Sequence, residues 1–149
     1  MSLDVSLLTN VVIPREHSGI FIKRMGDVVE IPHDEWDEMC PWHTPTIQES
    51  VTVRQSVYDA NITHNLTDMA KAAGIYMEVW RPGEAGITKA EQLIEPLTRG
   101  IAAMRADPAR FKRLDSPNGW GLYQNFLPWL ERYLEACQEY PGADVRASR

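Results

Sequence analysis

The stretch Tyr58-Asp59-Ala60-Asn61-Ile62-Thr63-His64-Asn65-Leu66-Thr67-Asp68-Met69-Ala70 begins with the period of a strand and ends with the period of a helix. Tyr58, Ala60 and Ile62 alternate with polar residues, as on a strand with one buried face. From Leu66 the apolar residues recur three and four apart, at Leu66, Met69, Ala70, Ala73, Met77 and Trp80, which is helical spacing. Gly74 is a weak point inside that run, and Arg81-Pro82-Gly83 ends it. The handover at Asn61–Asn65 divides the whole chain into a β-leaning first part and a helical second part.

Working back from it, Ser50 to Ile62 is the longest strand expected. Val51, Val53 and Val57 share one face and Tyr58, Ala60 and Ile62 the other, a phase change that implies a bulge or burial on both faces. Leu3 to Leu8 alternates as a strand. Gly19–Lys23 and Asp27–Ile31 flank a Met25-Gly26-Asp27 turn and read as a hairpin. Pro32 to Glu49 carries three prolines and reads as an excursion with one helical turn at Asp34–Met39.

Working forward, Thr88-Lys89-Ala90-Glu91 has the form of a capping box. Leu93, Ile94, Leu97, Ile101 and Met104 form the stripe behind it, with Pro96 as a kink. Asp107-Pro108 starts a short helix. A last helix is expected from near Asn118, its apolar face running from Leu122 through Phe126, Trp129, Leu130, Tyr133, Leu134 and Cys137. Pro128 should kink or divide it. Asp144 to Arg149 suits an edge strand. The expectation is a single α+β domain over 1–149: a small, mostly antiparallel sheet packed by three or more helices.

Composition narrows the function. The chain has 149 residues, a formal net charge of −6 and 44% hydrophobic residues. Its basic residues are scattered and interleaved with acids, so no phosphate-tracking stripe forms and nucleic acid is not an expected partner. No apolar run approaches the ~20 residues that span a bilayer. Met1–Val5 lacks the basic and apolar regions of a secretion signal. With only Cys40 and Cys137, far apart, the expected location is the cytoplasm. The common phosphate-loop, dinucleotide, serine-hydrolase and zincin motifs do not occur.

Three constellations carry chemistry. At the handover, a helix-cap reading accounts for Asn65 and Asp68. It does not account for Asn61, Thr63 and His64, whose polar groups gather where backbone amides point outward and suit a small polar or anionic ligand. His64 is also a candidate general base, with Asp59 the nearest acid. Second, Cys40-x-x-His43 and His33, among Asp34, Glu35, Asp37 and Glu38, offer metal ligands. Only one such pair is present, and a solvated acidic loop anchored by Trp36 and Trp42 is the favoured reading of the segment. Third, Asn118-Gly119-Trp120-Gly121 places an indole between two glycines, and Trp80-Arg81-Pro82 sets a guanidinium beside another. Each reads as a ligand wall or as a loop anchor and helix stop.

The set Ala60-Asn61-Ile62-Thr63-His64-Asn65-Leu66, Trp80-Arg81-Pro82, Asn118-Gly119-Trp120-Gly121-x-Tyr123 and Ser148-Arg149 resembles a family of small uncharacterised bacterial and bacteriophage proteins, from about Tyr58 to the C-terminus. The resemblance implies a phage or mobile-element origin and brings no activity. The leading expectation is a binding protein that holds a small polar or nucleotide-like ligand at Asn61, Thr63, His64 and Asn65, with Arg81 and Trp120 as walls. The alternatives are a metal-assisted hydrolase using His33, Cys40, His43 or His64, and an accessory protein that binds a host protein. The sequence names no cofactor and leaves the oligomeric state open, a homo-oligomer included.

Overall fold

The computed structural model describes residues 2–14, 17–42 and 50–149. Among them five strands form: β1 (Ser2–Pro14), β2 (Ile20–Arg24), β3 (Asp27–Ile31), β4 (Ser50–Thr63) and β5 (Asp144–Ser148). Six α-helices form: α1 (His33–Met39), α2 (Thr67–Ala72), α3 (Tyr76–Trp80), α4 (Glu91–Ala106), α5 (Pro108–Lys112) and α6 (Tyr123–Glu139), with a 3-10 turn at His64–Leu66. The fold is α+β, as the patterning implies. Contacts group the chain into two units, one of Met1–Thr9 with Gln55–Arg149 and one of Asn10–Arg54.

The larger unit holds the main core. Its sheet has the order β4-β1-β5, with β1 in the centre. β5 is antiparallel to β1, Asp4 lying opposite Ser148 and Leu8 opposite Asp144. Cross-strand bonds from Ser56 to the Leu7 carbonyl and from Asn61 to Asp4 run in opposite chain directions, so β4 also lies antiparallel to β1. Leu3, Val5 and Leu7 on one face of β1 are at most 1% exposed and meet Leu66, Leu93, Leu97, Phe126 and Leu130 from the helices. The phase change in β4 falls at Val57–Tyr58, and both residues pack against this core. A file of rings crosses it: Tyr76 on Trp80, Trp80 on Phe126, Phe126 on Trp129, Trp129 on Tyr133, and Tyr133 on Tyr58, with centroids 5.5–6.2 Å apart.

Four local expectations are corrected. The run from Leu66 to Trp80 is two helices. Gly74 sits at φ 71°, its amide bonds to the Lys71 carbonyl and the next amide to the Ala70 carbonyl, a glycine-terminated helix end. The break re-aims the second helix, so Ile75 and Val79 are buried and Met77 is exposed. At the start of α4 the Thr88–Glu91 box does not form. Gln92 turns back instead, its Oε1 accepting the amides of Thr88 and Lys89, each at 2.9 Å. The amides of Ala90 and Glu91 donate to the carbonyls of Ala143 and Pro141. The last helix begins at Tyr123, not near Asn118, with the Tyr123 amide held by Asp115 at 2.6 Å. The fourth correction, the cap at the handover, belongs to the site below. Pro96 and Pro128 lie inside α4 and α6, and neither helix is divided. Asp107 caps α5 as expected, accepting the Arg110 amide at 3.0 Å.

Gly100 packs without a side chain for a reason that periodicity does not carry. A Cβ there would lie 2.6 Å from Ile75 Cγ2, so α4 touches the α2–α3 joint through bare backbone.

In the smaller unit, β2 and β3 pair from Ile20–Ile31 to Arg24–Asp27 around Met25-Gly26, both at positive φ, which matches the twist of a two-residue hairpin. Ser18 donates to the Ile31 carbonyl, and Glu30 accepts the Gly19 amide at 2.7 Å. That amide, with His17 and Ser18, holds the Glu30 carboxyl below the usual carboxylate range. α1 follows Pro32, and its Glu35 pairs with Arg24.

Candidate functional site

The strand-to-helix handover is built by Thr63. Its backbone is still extended, and its hydroxyl accepts the Asn65 amide at 3.3 Å, capping the 3-10 turn. The cap is therefore Thr63, where the helical spacing alone points to Asn65. Asn61 is tied to β1 through Asp4, and Leu66 is fully buried as the anchor of the turn.

Asn61, Thr63 and Asn65 line one depression of about 530 Å³ together with Ser2, Asn118 and Trp120. The loop that supplies Asn118 and Trp120 is stiffened from within. Asn118 Oδ1 accepts the Ser116 hydroxyl at 2.7 Å and the Trp120 amide at 2.9 Å, and the Ser116 amide donates to the Gly121 carbonyl. Gly121 lies against Asn65: a Cβ there would meet Asn65 Cβ at 2.9 Å, and its φ is 118°. Two motifs separated by more than fifty residues of chain thus form one wall. The Trp120 indole is 72% exposed. It does not pin the loop against the core, as an anchoring role requires.

His64, adjacent in sequence to Asn65, lines a different depression, of about 560 Å³, with Tyr76, Trp80, Arg81, Ala147, Ser148 and Arg149. Its Nδ1 accepts the Trp80 indole N–H at 3.2 Å. Indole nitrogen only donates, so the neutral ring carries its proton on Nε2. That nitrogen is sealed from solvent and has no partner among the described residues. No free lone pair is left on the ring, and the general-base reading loses its chemistry. The Asp59 carboxyl is instead held low by the hydroxyls of Ser56 and Ser6. Arg81 donates through Nε to the Tyr76 hydroxyl at 3.4 Å and through Nη1 to Glu84 at 2.7 Å. These two acceptors, Tyr76 first, hold its guanidinium charged beyond its usual range.

The structure thus separates the six expected ligand residues into two groups. Asn61, Thr63, Asn65 and Trp120 share one depression, and His64 and Arg81 share the other. As ligand residues, sequence reasoning missed Ser2, Tyr76, Ser148 and Arg149. The last three are legible only once β5 is known to lie beside β1, because that pairing brings residues 148 and 149 to α3.

Of the expected metal ligands, His33 lies at the start of α1, Cys40 is half-buried and free just past its end, and His43 lies outside the described residues. No group of three His, Cys, Asp or Glu side chains suited to a metal ion forms among the described residues. No helix among them is long and apolar enough to cross a membrane. Comparison with known protein families, curated proteins and solved structures gives no match.

Proposed function

We propose that this protein is a non-enzymatic binding protein that holds a small, polar, nucleotide-like ligand in the depression formed by Asn61, Thr63, Asn65, Asn118 and Trp120. The observation that carries the reading is the lining itself: hydroxyls, carboxamides and one exposed indole, with no ionisable side chain among the described residues. Such a set has nothing to move a proton with, and much to recognise a planar ring bearing amide-like edges. Carboxamides present a donor and an acceptor side by side, and an indole face stacks on any heterocycle, worth about 1–3 kcal/mol per base in nucleic-acid sites. The test is calorimetry and tryptophan side-chain NMR with a panel of nucleosides and mononucleotides. Binding that weakens at least tenfold in Trp120→Ala and in Asn65→Ala is the expected result. A panel that leaves the spectra unchanged at millimolar concentration overturns the reading.

A second reading rests on the smaller unit, where Phe21 and Val28 share one face of the hairpin and are 62% and 69% exposed. Apolar side chains left to water on a two-stranded sheet favour an accessory protein that docks another protein there. Under this reading, an assembly seen by sedimentation is lost when Phe21 and Val28 are both changed to Ser. An assembly that survives both substitutions removes it.

A further inference from the structure

The second depression has the opposite chemistry from the first. Among the described residues, every polar side chain that lines it can donate hydrogen bonds: His64, Tyr76, Trp80, Arg81, Ser148 and Arg149, and none of these side chains is a carboxylate. Trp80 spends its N–H on His64. The others keep donor capacity. Arg81 uses Nε and Nη1, so the Nη2 edge of its fork carries no bond among the described residues. Among the described residues Arg149 makes only a 3.8 Å ion pair with Glu84, the carboxylate it shares with Arg81. Tyr76 accepts from Arg81 and retains its own hydroxyl proton to give. The Nε2–H of His64 is a sealed donor without an acceptor among the described residues. Tyr76 is stacked on Trp80 at 5.9 Å, which fixes its ring. In a chain of net charge −6, two guanidiniums drawn toward one carboxylate beside an orphan donor form a local exception.

We propose that the depression lined by His64, Tyr76, Arg81, Ser148 and Arg149 binds a phosphate-type oxyanion. Guanidinium forks match tetrahedral oxyanions through paired N–H bonds, and the two hydroxyls supply donors off the plane of those forks. Glu84 competes for both guanidiniums in the unliganded protein, so an arriving oxyanion displaces its ion pairs. The His64 Nε2–H, sealed from solvent and without an acceptor among the described residues, adds a further donor to the same residue cluster. The inference extends the reading of the first depression by adding the charged part of a nucleotide-like ligand. The oxyanion site stands on its own residues.

The test follows Arg Nε and His64 ring signals by ¹H–¹⁵N NMR at low salt, with inorganic phosphate, adenosine and adenosine monophosphate as separate probes. Phosphate should shift the Arg81 Nε and His64 signals with millimolar affinity, within the range open to a fragment of this size. Arg81→Gln should weaken it at least tenfold. Because Arg81 also ties Tyr76 and Glu84 together, Arg149→Gln, which removes only the long ion pair, provides a second variant and should weaken it about threefold or more, in line with the loss of one charge-assisted contact. Glu84→Gln should tighten phosphate, an effect that a merely structural role for Glu84 would not produce. Phosphate that moves no signal near Arg81, or that binds equally well in both arginine variants, overturns the oxyanion site. Adenosine binding that depends on Trp120 while phosphate fails would leave the first depression standing alone. Phosphate binding with no adenosine response would do the reverse.

Discussion

Gly121 fixes where the Trp120 indole can lie. Its φ of 118° is closed to residues with a Cβ, and the space a Cβ would occupy is already filled by Asn65 at 2.9 Å. Gly121→Ala therefore meets both a backbone penalty and a collision. The expected cost is about 1–3 kcal/mol of stability, with the loop pushed away from the handover. Thermal unfolding measures the first effect, and loss of the Trp120-dependent ligand response measures the second. A variant with unchanged melting and unchanged binding would show that the loop does not lean on Asn65. The neighbouring pair His64 and Asn65 makes a related point. Two adjacent side chains serve two depressions, one donor-rich and basic, the other neutral.

At the scale of elements, most of what rests on local patterns was legible. The hairpin around Met25-Gly26, the strand character of Leu3–Leu8 and Ser50–Ile62, the cap at Asp107 and the closing strand at Asp144 all follow from short-range patterns. The failures share a cause. Gln92 takes the role given to Glu91 because the amides at the start of α4 are already claimed by carbonyls of the segment before β5. Gly74 reads as a blemish in a helix because its use as a helix end depends on Ile75 being needed in the core. Gly100 looks expendable until Ile75 is placed against it. Each depends on a partner far away in the chain. The site behaves in the same way. Asn61, Thr63 and Asn65 could be named from their place at the handover, but their separation from His64 and Arg81 could not. That separation is set by which side of the turn each side chain leaves.

Over the whole molecule, the core holds two groups that burial keeps protonated, Tyr133 of the aromatic file and Cys137. Burial pushes the Cys137 thiol up from its ordinary value of 9.0 to about 12. Burial does the same to the Tyr133 phenol, moving it well above 10.0. Both groups are neutral when protonated, so their raised values stabilise the folded state fully at pH below the unfolded values. Above pH 9 the unfolded chain releases protons that the folded chain retains, and stability falls with rising pH until the folded values are reached. The midpoint of urea unfolding should therefore hold steady through neutrality and drop between pH 9 and about 12. Cys137→Ala, which removes one of these titrations, should flatten that drop. A midpoint independent of pH over this window would mean that these groups are solvated in the folded protein.

The central strand of the sheet is the first stretch of the chain, and one of its two neighbours is the last: Asp4 pairs with Ser148. During synthesis, β1 leaves the ribosome with Leu3, Val5 and Leu7 ready to be covered, yet β5 emerges only after every helix of the core. The sheet cannot close before all of these helices have been made. Its completion is a late, long-range event of the kind that slows folding. Until it happens, one edge of β1 is unsatisfied, and a nascent chain stalled before Asp144 presents that edge to whatever chaperone or neighbouring polypeptide reaches it first.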